Sequence, residues 1–295
     1  MEKPTITPTI TQAMINAYDE YTHLTLDRRG FMEKLTALAG SGAAAAAIAP
    51  LLAANGANAQ IVAESDDRLI AEDVTYPGAD GEMTGYLVRP RDASGALPAV
   101  IVIHENRGLN AHIRDVARRM ALEGFVVLAP DFLSPQGGTP ADEDQARQMF
   151  SSLDPNATAA NGEATRAYLA SLEGTNGKVG AVGFCWGGGL VNRMATKSPE
   201  LNAGVAYYGS QPPIEDVPAI RAPLLLHYAG LDERINAGIE AYKAALEQNG
   251  KTFEIYVYEG VNHAFNNDTS AARYDKAAAD LAWKRTVDFF RTHLS

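Results

Sequence analysis

The 295-residue chain has one cysteine, Cys185, which excludes an intramolecular disulfide and a cysteine-rich zinc site alike. Basic charge is in deficit: 25 Lys and Arg stand against 36 Asp and Glu, for a formal net charge of -11. An acidic protein of this kind is a poor partner for nucleic acid or for an anionic membrane. Long apolar runs are missing too. The stretch from Ala43 to Leu52 is rich in alanine and interrupted by Pro50, so no stable membrane insertion is expected. Neither an internal repeat nor a coiled-coil pattern forces assembly, and a monomer or a homodimer is the expectation. What remains is ordinary globular composition, 46% apolar, enough to build a sizeable core.

The chain divides in texture near residue 60, into an extension over 1–59 and a main domain over 60–295. Arg28-Arg29, the weakly apolar segment behind them and Ala57-Asn58-Ala59 resemble a bacterial twin-arginine export signal. Cleavage after Ala59 would leave Gln60 first, in a periplasmic or exported protein. The same stretch carries Leu35, Leu38, Ile48 and Leu51, and also suits a retained helical arm on a cytoplasmic protein.

From residue 68 onward the pattern is regular. Residues 68–76 and 83–89 flank Pro77-Gly78-Ala79-Asp80-Gly81 as a hairpin. Ala99 to Ile103 reads as a strand buried on both faces, and Phe125 to Leu128 as a strand ended by Pro130. Further strands fall at Val179–Val182, Gly204–Tyr208, Leu224–His227 and Phe253–Val257. Helical patterns cover about 110–122, 141–152, 159–172, 236–248 and 274–291. Helices between successive apolar strands imply right-handed crossovers and a mostly parallel eight-stranded sheet with helices on both faces. The Pro- and Gly-rich loop from Asp131 to Asp142 follows a strand's carboxyl end and is expected to line a pocket.

Gly183-Phe184-Cys185-Trp186-Gly187-Gly188-Gly189 lies between a strand and a helix. It is G-x-S-x-G with cysteine at the nucleophile's place. The turn is so tight that side chains two residues to either side would collide, and it aims the sulfur out of the sheet at a helix N-terminus. The ordinary alternatives are a buried filler cysteine or a phosphate-binding turn. Leu190-Val191 excludes the Lys-Ser/Thr of a P-loop. A nucleophile elbow then requires an acid and a histidine downstream, in that order. Asp232, with Glu233 as rival, follows the strand ending near Tyr228; His263 follows the strand ending near Tyr258. The other histidines compete poorly: His227 is inside a strand, His112 is on a helix, and His23 and His293 are terminal.

These residues, with His104-Glu105-Asn106-Arg107-Gly108 after Ile103 and the Asn-His-Ala-Phe around His263, resemble the dienelactone hydrolase (carboxymethylenebutenolidase) family over about residues 68–293. The resemblance implies an α/β-hydrolase fold and hydrolysis of small carboxylic esters or lactones by Cys185, His263 and Asp232. It also implies that Glu105 pairs with the resting thiol, and that the backbone N–H groups of Trp186 and Asn106 form the oxyanion hole. No metal or organic cofactor is called for. Two arginines that clamp a substrate carboxylate in the family have no counterpart: Ser134-Pro135 stands in the region of one, Asn267 at the other. Arg107 and Arg234 are candidate substitutes; otherwise a neutral ester or lactone is expected. Two further readings stay open: a thioesterase or peptidase on this scaffold, and a binding protein that keeps the fold.

Overall fold

The computed structural model describes residues 9–53 and 60–295, so the expected cleavage site Ala57-Asn58-Ala59 lies outside the described residues. Eight strands form one sheet in the order β1-β2-β4-β3-β5-β6-β7-β8. They are β1 (Leu69–Pro77), β2 (Glu82–Pro90), β3 (Leu97–Ile103), β4 (Val126–Asp131), β5 (Thr175–Phe184), β6 (Ala203–Tyr207), β7 (Leu224–Ala229) and β8 (Phe253–Tyr258). The β1–β2 hairpin joins the sheet through an antiparallel β2–β4 ladder, and every pairing from β4 to β8 is parallel. This is the α/β-hydrolase fold.

Side-chain alternation along the central strands feeds two cores. Ile101 and Ile103 point to one face with Ala159 and Leu169 of α6 (Pro155–Ser171), Met194 of α7 (Trp186–Lys197) and Tyr242 of α9 (Ile239–Gln248). Val100 and Val102 point to the other, against Val116 of α4 (Ala111–Leu122) and Phe290 of α10 (Lys276–Leu294). All four strand residues are fully buried, and each such side chain is worth about 1.5–3 kcal/mol of transfer free energy.

Two expectations differ from the structure. Pro130 does not end its strand, because β4 runs on to Asp131. The ladder to β3 has stopped by Leu128, so the residue without an N–H sits where β4 has only β2 beside it, opposite Gly85. The single helix expected over 236–248 is two, α8 (Glu233–Asn236) and α9, interrupted at Gly238. A Cβ there would come within 2.3 Å of Gln211 Oε1, so backbone and side chain meet closely at the break. The Asp131–Asp142 loop lines a hollow with Arg107 and Arg114, away from Cys185; Asp131 folds it back by accepting from Thr139 and Leu133.

Residues 12–52 form three helices: α1 (Gln12–Thr22), α2 (Arg28–Ala39) and α3 (Gly42–Leu52). Thr11, Asp27 and Ser41 cap them by accepting the N–H three residues on, and Gly40 closes α2 in the left-handed conformation. Their apolar faces meet in a third cluster built on Tyr18, Phe31, Leu35, Ile48 and Leu52. No single helix among the described residues is long and apolar enough to cross a membrane.

Candidate active site

The elbow between β5 and α7 follows from its glycines. A Cβ on Gly183 would stand 2.1 Å from the Gly187 carbonyl oxygen, and one on Gly187 would stand 2.5 Å from that of His104. The crowding leaves Cys185 at φ 55, ψ −113, a conformation that L-residues rarely adopt. Strain of this sort costs about 1–3 kcal/mol and persists where surrounding structure over-determines it. Here Cys185 N donates to Tyr207 O, and the Cys185 carbonyl accepts from Gly189 N. The sulfur is thereby fixed at the head of α7, beyond the carboxyl ends of the parallel strands.

The loops after β7 and β8 deliver the other two residues. Asp232 is the N-cap of α8: Oδ1 accepts from Ile235 N, while Oδ2 lies 2.5 Å from His263 Nδ1. The rival Glu233 is exposed, whereas Asp232 and His263 are buried. Because the carboxylate accepts a hydrogen bond from Nδ1–H, His263 turns its Nε2 away from Asp232. That Nε2 is buried and has no hydrogen-bond partner among the described residues. Against the cost of burial, the nearby Asp232 and Cys185 hold the His263 imidazolium well above its usual range.

Beside β3, the Glu105 carboxylate is buried and accepts from Asn267 Nδ2 at 2.8 Å. Burial alone would raise its pKa, but Arg107, His112, Arg273 and His263 keep it below the usual carboxylate range. The structure thus sets Glu105 against Asn267, not on the thiol as expected. Trp186 and Asn106 both line the hollow that holds Cys185. Among the described residues, neither backbone N–H is spent on a main-chain acceptor. The Trp186 ring is held by stacking on His104 at 5.4 Å. Burial keeps His104 neutral, and its Nε2 accepts from Phe132 N.

The sulfur's own hydrogen-bond partner is a residue that the sequence reading set aside as terminal. His23, at the C-cap of α1, brings Nε2 to 3.4 Å from Cys185 Sγ. Its ring meets His263 edge-on, centroids 4.8 Å apart. The ligating atoms of His23, Cys185 and His263 all lie within 4.8 Å of one another. Burial would raise the thiol, but His263 and His23 together bring Cys185 down to about 6. The one sequence signal that bears on this is the i, i+4 spacing of Asp19 and His23, which puts both on one side of a helix.

The hollow beside the sulfur measures about 220 Å³ and includes Phe150, Trp186, Tyr208, Arg147 and Arg234 in its lining. Arg147 is ion-paired with Asp144 and Glu143 and lies over the Tyr21 ring. Arg107, one of the two proposed clamps, is committed elsewhere: it is buried, donates to Tyr18 Oη at 2.8 Å and pairs with Glu143 at 3.4 Å. Arg234 has no salt-bridge partner among the described residues.

Comparison with known proteins adds the following. The sequence profile of the dienelactone hydrolase family matches residues 83–294. A protein of Escherichia coli (strain K12) assigned as carboxymethylenebutenolidase is 32% identical over 248 residues, covering 79% of this chain and 91% of its own. One from Saccharolobus solfataricus with the same assignment is 31% identical, covering 75% and 98%. Among solved structures, a protein of Klebsiella pneumoniae assigned as dienelactone hydrolase superposes with a TM-score of 0.70 at 31% identity, over 76% of this chain and 98% of its own. Helices α1–α3 lie outside the residues that the family profile matches.

Proposed function

This chain belongs to the dienelactone hydrolase family and is a carboxylic-ester or lactone hydrolase, and on that premise we propose that it works through Cys185 as nucleophile, His263 as acid and base, and Asp232 as the carboxylate that steers the ring. The observation that carries this reading is the convergence of a thiol brought down to about 6 and a carboxylate-backed imidazole at one sheet edge. The thiolate attacks the ester carbonyl, and the charge passes to the oxygen, which the N–H groups of Trp186 and Asn106 receive. His263 protonates the departing alkoxide, then takes a proton from the water that cleaves the thioester. Glu105, held by Asn267, handles no proton in this scheme and keeps the loop after β3 in place.

The substrate we assign is a small neutral ester or lactone. A hollow of about 220 Å³ is below the usual ligand-pocket range and suits a short acyl group better than an extended peptide. Its one unpaired arginine, Arg234, is exposed and offers a screened charge, not a bidentate clamp. Steady-state hydrolysis of a neutral aryl acetate and a carboxylate-bearing ester tests this. Arg234→Gln raises KM for the anionic ester by about threefold, as loss of a surface charge pair does, and leaves the neutral ester unchanged. A strong wild-type preference for the anionic ester, lost in the variant, would instead make Arg234 a true carboxylate clamp.

We also propose that residues 1–59 stay on the working enzyme, in the cytoplasm, because the three helices within residues 12–52 are seated against the loops around Cys185. The intact mass of the protein from its own cells is then that of a chain still carrying the arm. A chain beginning at Gln60 contradicts it and favours the export signal.

A further inference from the structure

We propose that the N-terminal arm is a working part of the active site: it supplies His23, steered by Asp19, as a second imidazole that takes the thiol proton of Cys185. The inference rests on Cys185 being the nucleophile.

Geometry fixes the chemistry of the ring. His23 Nδ1 lies 2.8 Å from the Asp19 carbonyl oxygen and 3.4 Å from Asp19 Oδ1. Both are acceptors, so Nδ1 carries a hydrogen and the neutral ring presents its Nε2 lone pair to the sulfur. His263 is backed more directly, its Nδ1 2.5 Å from the Asp232 carboxylate, which favours the protonated ring. The thiol therefore faces two rings through their Nε2 atoms: the neutral His23, which accepts its proton, and the imidazolium of His263, which has a proton to give.

The body of the enzyme holds the arm in this position. Asn106, whose N–H is assigned to the oxyanion hole, donates from Nδ2 to the Thr22 carbonyl at 2.7 Å, one residue before His23. Arg107 donates to Tyr18 Oη, Arg273 lies over the Tyr18 ring, and Tyr21 Oη donates to Asp144. Gln12 Nε2 donates to Asn262, next to His263. Thr22, His23 and Leu24 also form part of the wall around the hollow.

With Glu105 tied to Asn267, His23 is the proton acceptor in contact with the sulfur. The thiol proton passes to His23 Nε2, leaving thiolate and imidazolium. The S–C bond forms and the carbonyl electron pair moves onto oxygen. Collapse breaks the C–O bond, and the alkoxide takes the proton of His263. Water then adds to the thioester, giving its proton to His263, and the C–S bond breaks with its electron pair returning to sulfur. His23 keeps its proton throughout and stabilises the thiolate both as attacker and as leaving group. One imidazole is thus freed for the single proton that ester hydrolysis exchanges.

The charges that bear on this pair come from every neighbouring element: Asp19 on α1, Glu105 and Arg107 after β3, Arg147 on the helix Glu143–Ser151, Tyr208 after β6, Asp232 after β7 with Arg234 on α8, His263 after β8, and Arg273 before α10. The test is the rate of Cys185 alkylation by iodoacetamide against pH, alongside the pH profile of kcat/KM, on the full chain. The midpoint expected for wild type is about 6. His23→Gln keeps the side chain's size and polarity but cannot hold the proton; its midpoint rises by about one pH unit, and kcat/KM near pH 6 falls about tenfold, recovering as the pH rises. Asp19→Asn moves both in the same direction by less, and serves as the test if His23→Gln does not fold. An unmoved midpoint in a folded variant overturns the proposal, even if KM changes, since a ring that merely packs would alter binding without altering the thiol. If Cys185→Ala is inactive and the His23→Gln midpoint stays put, only this inference fails. If Cys185→Ala is active, the nucleophile reading fails first.

Discussion

Replacing Cys185 by alanine lowers kcat/KM for a neutral aryl acetate by about 10⁴-fold or more and leaves the fold intact. The size follows from what is removed. The covalent route disappears, and His263 is left with an oxyanion hole but no nucleophile to serve. Stability changes little, because the thiol is a small group facing a hollow, and the turn that holds it depends on backbone contacts and on Gly183 and Gly187. Circular dichroism and thermal unfolding check the fold; hydrolysis at undiminished rate by the folded variant would remove Cys185 from the mechanism.

Asp232→Asn costs about 10³- to 10⁴-fold in kcat with KM nearly unchanged. An amide at this position can still accept Ile235 N and keep the head of α8. It can also offer an NH₂ to His263 Nδ1, which favours the wrong tautomer and turns a hydrogen, not a lone pair, toward the substrate. The imidazolium loses the carboxylate that keeps it protonated. His263 therefore titrates at lower pH in the variant, and the alkaline fall in activity, where the leaving-group acid is lost, moves down with it. Steady-state kinetics across pH read both effects. A drop of less than tenfold would mean that another carboxylate, Asp19 included, can orient the ring.

How much of this was legible in sequence depends on the range of the forces involved. The elbow is a local matter: its glycines answer to collisions within a few residues, and the flanking strand and helix declare themselves by apolar pattern. Asp232 and His263 sit where strands end, and a parallel sheet collects its strand ends on one edge, so order along the chain was enough to bring them to the edge that carries Cys185. His23 is different. The spacing of Leu35, Leu38, Ile48 and Leu51 suited a helical arm as well as an export signal, but the helix that carries His23 was not expected, nothing local says against which surface an arm packs, and the contact with Cys185 spans 162 residues. Glu105 went the same way: the expected bond to the thiol gives way to one from Asn267, again 162 residues distant, at a position where the family resemblance only told us an arginine was missing. The breaks at Gly238 and the continuation through Pro130 also depend on neighbours, Gln211 in one case and the absent β3 partner in the other.

The central claim is that the acyl group passes through Cys185. Acid quench of the full-length enzyme turning over an aryl acetate, followed by intact mass and peptide mapping, tests it directly. The account predicts one acetyl group per chain, on the peptide carrying Cys185, released by hydroxylamine and missing from Cys185→Ala. An acetyl group on any other residue, or steady turnover by Cys185→Ala, would contradict it.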